Sequence, residues 1–164
     1  MSERIHRVHL ATGLLRRGDS VLLVASQYAS PREPLWGLPG GHQQGRESLA
    51  RCAERECCEE TGLAVRCGEL LYISESYDGS TQYLNSTFAI EGEGVPRLPE
   101  HDDRVVAVEF VPIADIAARM TVAVVREPLL ATLRNPGARR YFFFPSADVS
   151  VRYGRSRQSC ASKT

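Results

Sequence analysis

Three glutamates in the segment 55–62, RECCEETG, have the spacing to bind a divalent cation together. If residues 48–61 form a helix, Glu56, Glu59 and Glu60 stand at positions i, i+3 and i+4 on one face of its last turns. The helix dipole already places partial negative charge there, and each like-charged pair costs roughly 0.2–0.5 kcal/mol. Mg²⁺, which is held by a few carboxylates plus the phosphates of a substrate, would offset that repulsion. For carboxylates alone, the alternative is a solvated acidic helix face.

The surrounding residues favour the metal site over the solvated face. The run 41–63 resembles the Nudix box, G-x5-E-x7-R-E-U-x-E-E-x-G-U, in which U is a bulky aliphatic residue. All seven fixed letters of that pattern are present: Gly41, Glu47, Arg55, Glu56, Glu59, Glu60 and Gly62. The preceding run LWGLPGG, residues 35–41, is also similar to the family's lead-in to the box. A continuous match of this length is far more specific than a lone glycine motif.

Three positions depart from the family pattern. Cys57 takes the first bulky aliphatic place, where it can still pack as a small apolar group. Many members have a Glu where Gln44 stands and a Gly where Arg46 stands, so one possible metal ligand is missing. Gly45 is expected to supply the flexible turn one position early. These changes leave the number of metal ions open.

The resemblance implies hydrolysis of a phosphoanhydride bond in a nucleoside diphosphate linked to another moiety, with Mg²⁺ or Mn²⁺ as cofactor. Breaking such a bond mainly requires charge neutralisation and an in-line water. By analogy with the family, the metal ligands are Glu56, Glu59, Glu60 and the backbone carbonyl of Gly41. Arg55 is expected to brace Glu47 or a ligand carboxylate through bidentate hydrogen bonds.

The general base varies in this family between a box glutamate and an acid from a distant loop. Asp103, with its neighbour Asp102, precedes a predicted strand and is the distant candidate. A solvated acidic pair at a strand start is the alternative.

Five residues are candidate substrate contacts: Trp36, Gly40, Gly41, His42 and Tyr77. The two glycines would let the backbone approach a ligand closely. Trp36 could stack on a base, although a core tryptophan is the commoner role. Tyr77 lies near the place where dinucleoside polyphosphate hydrolases carry a tyrosine, which is weak evidence. Nothing resembles the coenzyme A or NADH-type signatures, so a nucleoside triphosphate or nucleotide sugar is favoured.

Two other functions stay open at this point. One is a Nudix-like domain that senses a nucleotide without cutting it, and the intact acidic motif counts against it. The other is a pyrophosphohydrolase of RNA 5′ ends, but 20 basic residues balance 20 acidic residues, which gives no field favouring nucleic acid. The partner is therefore expected to be a small nucleotide, and a homodimer is compatible with the sequence.

The composition of the chain predicts its cellular compartment and the redox state of its cysteines. No apolar run approaches the ~20 residues that a membrane span needs, and residues 1–10 lack the apolar core of a signal peptide. The five cysteines are odd in number and form no CxxC pair. A cytoplasmic protein with reduced thiols is expected.

The elements that must position these residues form one domain over residues 1–153, followed by a polar tail, 154–164, that is predicted to be disordered. Hydrophobic periodicity predicts strands at 7–15 and 20–27 joined as a hairpin, a short strand at 35–38, and a hairpin of 64–77 with 81–90 across an Asp-Gly turn. A strand at 105–111 and helical segments at 113–120 and 121–133 follow, with a break or kink at Pro128, and 140–151 is an added strand or packing segment. This order predicts an α/β fold with a mixed sheet and helices on both faces. The resemblance implies the Nudix-type α/β/α sandwich.

Overall fold

The computed structural model describes residues 4–28 and 33–145. The strands within these ranges are β1 (His6–Leu14), β2 (Arg16–Arg17), β3 (Ser20–Ser26), β4 (Leu35–Gly37), β5 (Gly40–His42), β6 (Val65–Asp78), β7 (Thr81–Gly92), β8 (Val105–Pro112) and β9 (Tyr141–Phe144). The helices are α1 (Leu49–Thr61), α2 (Ile116–Arg119), which follows a 3-10 turn at Ile113–Asp115, and α3 (Ala123–Arg134). The tail 154–164 lies outside the described residues.

The strands form two sheets. The larger is mixed, with the order β5-β1-β7-β6-β9, because β1 runs parallel to β7 and β6 runs parallel to β9. The smaller is antiparallel and is built on β3, with β8 on one side and β2 followed by β4 on the other. The predicted mixed sheet is confirmed, whereas the separate antiparallel sheet was not predicted.

The predicted hairpin of the first two strands is wrong. β1 pairs along its whole length with β7 and also with β5, while only the two residues of β2 fold back on β3. The alternating pattern of residues 7–15 specifies a strand but carries no information about its partner. Because one side of β1 pairs with β7, its other side pairs with the glycine-rich strand β5, which forms an edge of the mixed sheet.

Alternation along β3 divides the core between two helical layers. Val21 and Leu23 pack with residues of α2 and α3, whereas Leu22 points to the opposite side and packs with Cys57 of α1. Each of these side chains is at most a few per cent exposed. Helices therefore cover both sides of the strands, as the α/β/α sandwich requires.

Local signals at both ends define α1. The hydroxyl of Ser48 accepts a hydrogen bond from the Arg51 N–H at 3.2 Å, which satisfies one of the free donors of the first turn. Gly62 takes the left-handed conformation with φ 70°, and its N–H donates to the carbonyl of Cys58 at 2.9 Å. The predicted helix 48–61 is confirmed with its predicted ends.

The C-terminal helices break at a different residue from the one expected. α3 runs continuously through Pro128, so of the two outcomes predicted there, a break or a kink, the break is wrong. The chain is instead extended at Met120 and Val122, which separates α2 from α3. Pro128 is buried, and the apolar contact of its ring offsets the backbone hydrogen bond that it cannot donate. No helix in the described ranges has the length and apolar character to span a membrane.

Candidate active site

Arg55 collects three carboxylates on the outer face of α1. Its Nε and Nη2 donate to the two carboxylate oxygens of Glu47, at 3.1 and 2.7 Å. Its Nη1 donates to Glu56 at 2.8 Å and to Glu59 at 3.1 Å. The contact with Glu47 has the bidentate form expected from the sequence, and it leaves one nitrogen to hold two glutamates of the box.

These hydrogen bonds fix the charge of Glu47. Donation from Arg55, followed by the backbone N–H of Gln44 at 2.9 Å, lowers the pKa of Glu47 to about 2. The carboxylate therefore stays ionised at neutral pH and holds Arg55 in place. Arg55 also donates to the backbone carbonyl of His42 at 3.1 Å, so that loop and helix share one anchor.

The two glycines at the start of β5 lie directly against Glu60 and Glu56. The N–H of Gly40 donates to Glu60 at 2.9 Å. A Cβ atom on Gly41 would lie 2.6 Å from the carboxylate carbon of Glu56 and 2.7 Å from both of its oxygens. A larger residue there would displace the carboxylate, because it rests on the backbone of β5.

The partly buried side chain of Glu60 holds its proton more tightly than an exposed glutamate does. Desolvation is the main reason that its pKa is raised to about 8, the N–H of Gly40 counteracts part of the shift, and the carboxylates of Glu56 and Asp102 add to it. A bound cation would favour the ionised form of this group. The observation supports a divalent ion beside Glu60, and the carboxylate donors are the type that Mg²⁺ prefers.

The carboxylates do not form a complete metal-binding site in the described part of the chain. In the described part of the chain, no three side chains of His, Cys, Asp or Glu converge closely enough to hold an ion. The reason lies in the contacts of Arg55, whose Nη1 draws Glu56 and Glu59 toward itself. The helix still places all three glutamates on adjacent positions of one face, so side-chain rotation alone could bring them to a shared ion.

The other predicted substrate residues differ in where they lie. Trp36 is half-buried against the core formed with α2 and α3, and the Arg119 guanidinium covers its ring at 4.6 Å, which favours the packing role. The side chain of His42 is exposed beside the box loop. Tyr77 is not brought to the box: the strand register places it about 20 Å from Gly41 across the mixed sheet. Its hydroxyl donates to Glu75 instead, at 3.1 Å.

Asp102, rather than Asp103, faces the box. Arg104 donates to the carboxylate of Asp102 through its Nε and Nη2 and through its backbone N–H, each at 3.0 Å. Asp102 also lines a cleft together with Glu59, and its charge acts on Glu60. Asp103 is exposed and does not line that cleft. The expectation that Asp103 is the distant base is therefore not supported by its position.

Sequence reasoning missed two basic residues of the same loop, Arg97 and Arg104, which line the cleft with Asp102. Nothing in the sequence of this loop indicated that either arginine belongs to the site, because the loop reads as a polar connection rich in glycine, proline and acids.

The two buried cysteines of α1 are structural rather than reactive. Cys52, Cys57, Cys58 and Cys67 are free, which confirms the thiol prediction for these four, and Cys160 lies outside the described residues. Burial raises the pKa of Cys52 and of Cys57 to about 12, which makes both thiols poor nucleophiles. Cys57 packs with Leu15 and Leu22, so it fills the aliphatic position of the box as expected.

Comparison with known proteins agrees with this geometry. The NUDIX domain model matches residues 6–133. Phosphatase NudJ of Escherichia coli K12 is 26% identical over 124 residues, covering 75% of this chain and 78% of that protein. The MutT NUDIX hydrolase of Burkholderia pseudomallei is 26% identical, with a TM-score of 0.65 over 76% of this chain and 96% of the other. A NUDIX hydrolase from Nitrosomonas europaea is 22% identical, with a TM-score of 0.69 over 82% of this chain and 92% of the other.

Such proteins generally need a divalent metal ion such as Mg²⁺. The matched region contains the three glutamates of α1, the glycines of β5 and the bracing arginine, which are the residues that geometry brings together. This chain belongs to the NUDIX family of hydrolases, which act on pyrophosphate bonds.

Proposed function

We propose that this protein hydrolyses a phosphoanhydride bond of a small nucleotide, a nucleoside diphosphate linked to another moiety, and that it requires Mg²⁺ or Mn²⁺. The observation that carries the proposal is that Glu60 and Glu56, on one face of α1, lie against the Gly40 N–H and the Gly41 backbone of β5. Carboxylates placed together beside a glycine backbone are expected where a cation and a phosphate chain bind together.

The chain's own residues have separate tasks in this mechanism. Glu56 and Glu60 would hold the cation beside the carbonyl of Gly41, and Glu59 would complete the face from its more exposed position. When bound, the cation would neutralise phosphate oxygens and lower the pKa of a coordinated water. Arg55 keeps Glu47 ionised and fixes the box loop against the helix.

Asp102 is the better placed of the two candidate distant bases. Hydrogen bonds from Arg104 lower its pKa, which keeps it ionised at neutral pH but makes it a weaker base than a free aspartate, so position alone supports the role. Its position in a cleft shared with Glu59 supports this role. A glutamate of the box remains the alternative base.

A small nucleotide is favoured over an RNA end and over a sensing role. The balance of 20 basic and 20 acidic residues gives no overall field that favours a nucleic-acid backbone. The full acidic set is present, and a domain that only binds nucleotide does not need it. Free thiols at the four described cysteines suit a cytoplasmic protein.

The test is a panel of nucleoside triphosphates, nucleotide sugars, dinucleoside polyphosphates and a 5′-triphosphorylated RNA, each with Mg²⁺ and with chelator. Released phosphate and pyrophosphate are measured for wild type, Glu56→Gln and Glu69→Gln, the last being an exposed glutamate on β6. We expect hydrolysis of at least one small nucleotide only with Mg²⁺, with a loss of about 10²-fold or more in Glu56→Gln, since several kcal/mol of charge stabilisation are removed. Wild-type rates in Glu56→Gln would contradict the proposal.

A further inference from the structure

Tyr28 follows β3 on the side of that strand that faces α1. Side chains alternate along β3, and Leu22 points toward α1 and packs against it. Ser26, the last residue of β3, and Tyr28 continue this series at every second position. The N–H of Gln27 donates to the carbonyl of Arg104 at 2.8 Å, so the pairing with the chain before β8 extends one residue past the strand. This register places Tyr28 beside the start of β8, on the α1 side of the smaller sheet.

The candidate metal site acts electrostatically on Tyr28. The pKa of its hydroxyl is raised, mainly by desolvation and next by the carboxylate of Glu60, and a hydrogen bond with Ser26 counteracts part of the shift. Because Coulomb interactions weaken with distance, the side chain lies near Glu60. The residue as a whole is still 41% exposed. The hydroxyl is therefore anchored, while part of the side chain remains accessible to a ligand.

The other exposed aromatic residues in the described part of the chain lie far from the box. Tyr141 and Phe143 are 51% and 48% exposed, and both belong to β9. β9 and β5 are opposite edges of the mixed sheet, four strand spacings or roughly 19 Å apart. The half-buried ring of Trp36 is covered by the guanidinium of Arg119. Among these aromatic residues, Tyr28 alone combines exposure with a place beside the acidic face of α1.

We infer that the ring of Tyr28 stacks on the nucleobase of the substrate when the phosphates bind at the box. Every nucleobase has a flat π-face, so an accessible aromatic ring can bind it without reading which base it is. Tyr28 then selects nucleotides over phosphate compounds that lack a base. This inference rests on the proposed function and deepens it, because it makes the base, and not only the phosphate chain, a determinant of affinity.

Binding of non-hydrolysable ligands tests this contact separately from catalysis. The probes are methylene-bridged nucleoside triphosphates with each of the four RNA bases, and the abasic counterpart in which hydrogen replaces the base. Each is titrated by calorimetry in Mg²⁺ into wild type, Tyr28→Leu, Tyr28→Phe and Tyr141→Leu, the last being the matched control on β9. We expect Tyr28→Leu to weaken the best-bound nucleotide about 10-fold and to leave the abasic ligand unchanged, since only base stacking is lost. Tyr28→Phe, which keeps the ring, and Tyr141→Leu should bind both ligands like wild type.

Three results would overturn the inference. Wild type could bind no nucleotide more tightly than the abasic ligand, or Tyr28→Leu could lose affinity for both ligands equally or for neither. A loss in Tyr28→Phe as large as in Tyr28→Leu would assign the effect to the hydroxyl and its contact with Ser26, and is the third such result.

Hydrolysis of the natural nucleotides, measured in parallel, separates the inference from the proposed function. If wild type hydrolyses nucleotides and Tyr28→Leu shows no base-selective loss of binding, the stacking contact is overturned and the proposed function stands. If the loss is base-selective but wild type hydrolyses no nucleotide, the stacking contact stands and the proposed function fails.

Discussion

At the scale of single residues, the site contains more acidic than basic side chains, and the guanidinium of Arg55 lies at its centre. Four carboxylates of the box, on Glu47, Glu56, Glu59 and Glu60, surround one guanidinium, which reaches the first three. A lysine could not serve in this place, because its ammonium group has no planar fork with which to bind Glu47 bidentately while also holding two more carboxylates. Glu60 accepts a hydrogen bond from the Gly40 N–H instead, and desolvation raises its pKa.

The raised pKa of Glu60 predicts that the stability of the metal-free protein depends on pH. Its folded-state pKa of about 8 lies above the ordinary value of 4.5, so the folded protein binds this proton more tightly than the unfolded chain. Its contribution is fully present below about pH 4.5 and is lost as the pH rises through about 8. Glu60→Gln, which stays neutral, should therefore melt higher than wild type at high pH in chelator, with the difference shrinking toward acid pH.

Thermal melts of wild type and Glu60→Gln between about pH 5 and about pH 9 measure this effect. Glu69→Gln, on the exposed part of β6, controls for the loss of one negative charge. A difference between Glu60→Gln and wild type that is the same at every pH would show that Glu60 is not the titrating group.

At the scale of elements, the sequence predicts what is determined locally. Ser48 and Gly62 mark the ends of α1 because their side chain and backbone act on their own helix. The partner of β1 depends on contacts with β7, which is distant along the chain, and no periodicity within residues 7–15 encodes it. The predicted break at Pro128 failed for the same reason. Burial of this residue in the core is a tertiary contact, and it outweighs the tendency of proline to break a helix.

Two glycines flanking the β4–β5 corner provide a matched test of how β5 supports the site. Gly41→Ala places a methyl group 2.6 Å from the Glu56 carboxylate, which must move away. An added Cβ on Gly37, in contrast, meets nothing within 4 Å. We expect Gly41→Ala to lower Mg²⁺-dependent hydrolysis about 10²-fold, as a displaced catalytic group does, with only a modest fall in melting temperature. Gly37→Ala should change neither.

The measurement is kcat and melting temperature for both alanine variants beside wild type. Since the Glu56 side chain is flexible at its far end, the fold can absorb the displacement, and the loss should appear in activity. Equal activity of Gly41→Ala and Gly37→Ala would mean that the contact between Gly41 and Glu56 has no part in the reaction.

At the scale of the whole molecule, a chain with balanced net charge concentrates negative charge at one end of one helix. The sequence predicts this concentration, since the box residues are contiguous on α1. It does not predict the loop that completes the site, because Asp102 and Asp103 are adjacent and equivalent in composition, and only the start of β8 determines which one faces Glu60. The resulting site joins the two sheets through α1, so that binding of a cation there should stabilise the entire fold.

That linkage gives a final prediction, in which Mg²⁺ raises the melting temperature of wild type and Glu59→Gln loses most of the increase. A ligand that binds only the folded state stabilises it by RT ln(1 + [L]/Kd), about 2.7 kcal/mol at 100 times Kd. In chelator Glu59→Gln should resemble wild type, because Glu59 is 58% exposed and its ion pair with Arg55 offsets repulsion from the other glutamates. Glu109→Gln is the matched control, since Glu109 is 51% exposed and pairs with Arg119 at 3.3 Å on an element outside the box. Melts of the three proteins in chelator and in excess Mg²⁺ decide the matter: an equal Mg²⁺ shift in all three would mean that the ion binds elsewhere and that the acidic face of α1 is only solvated.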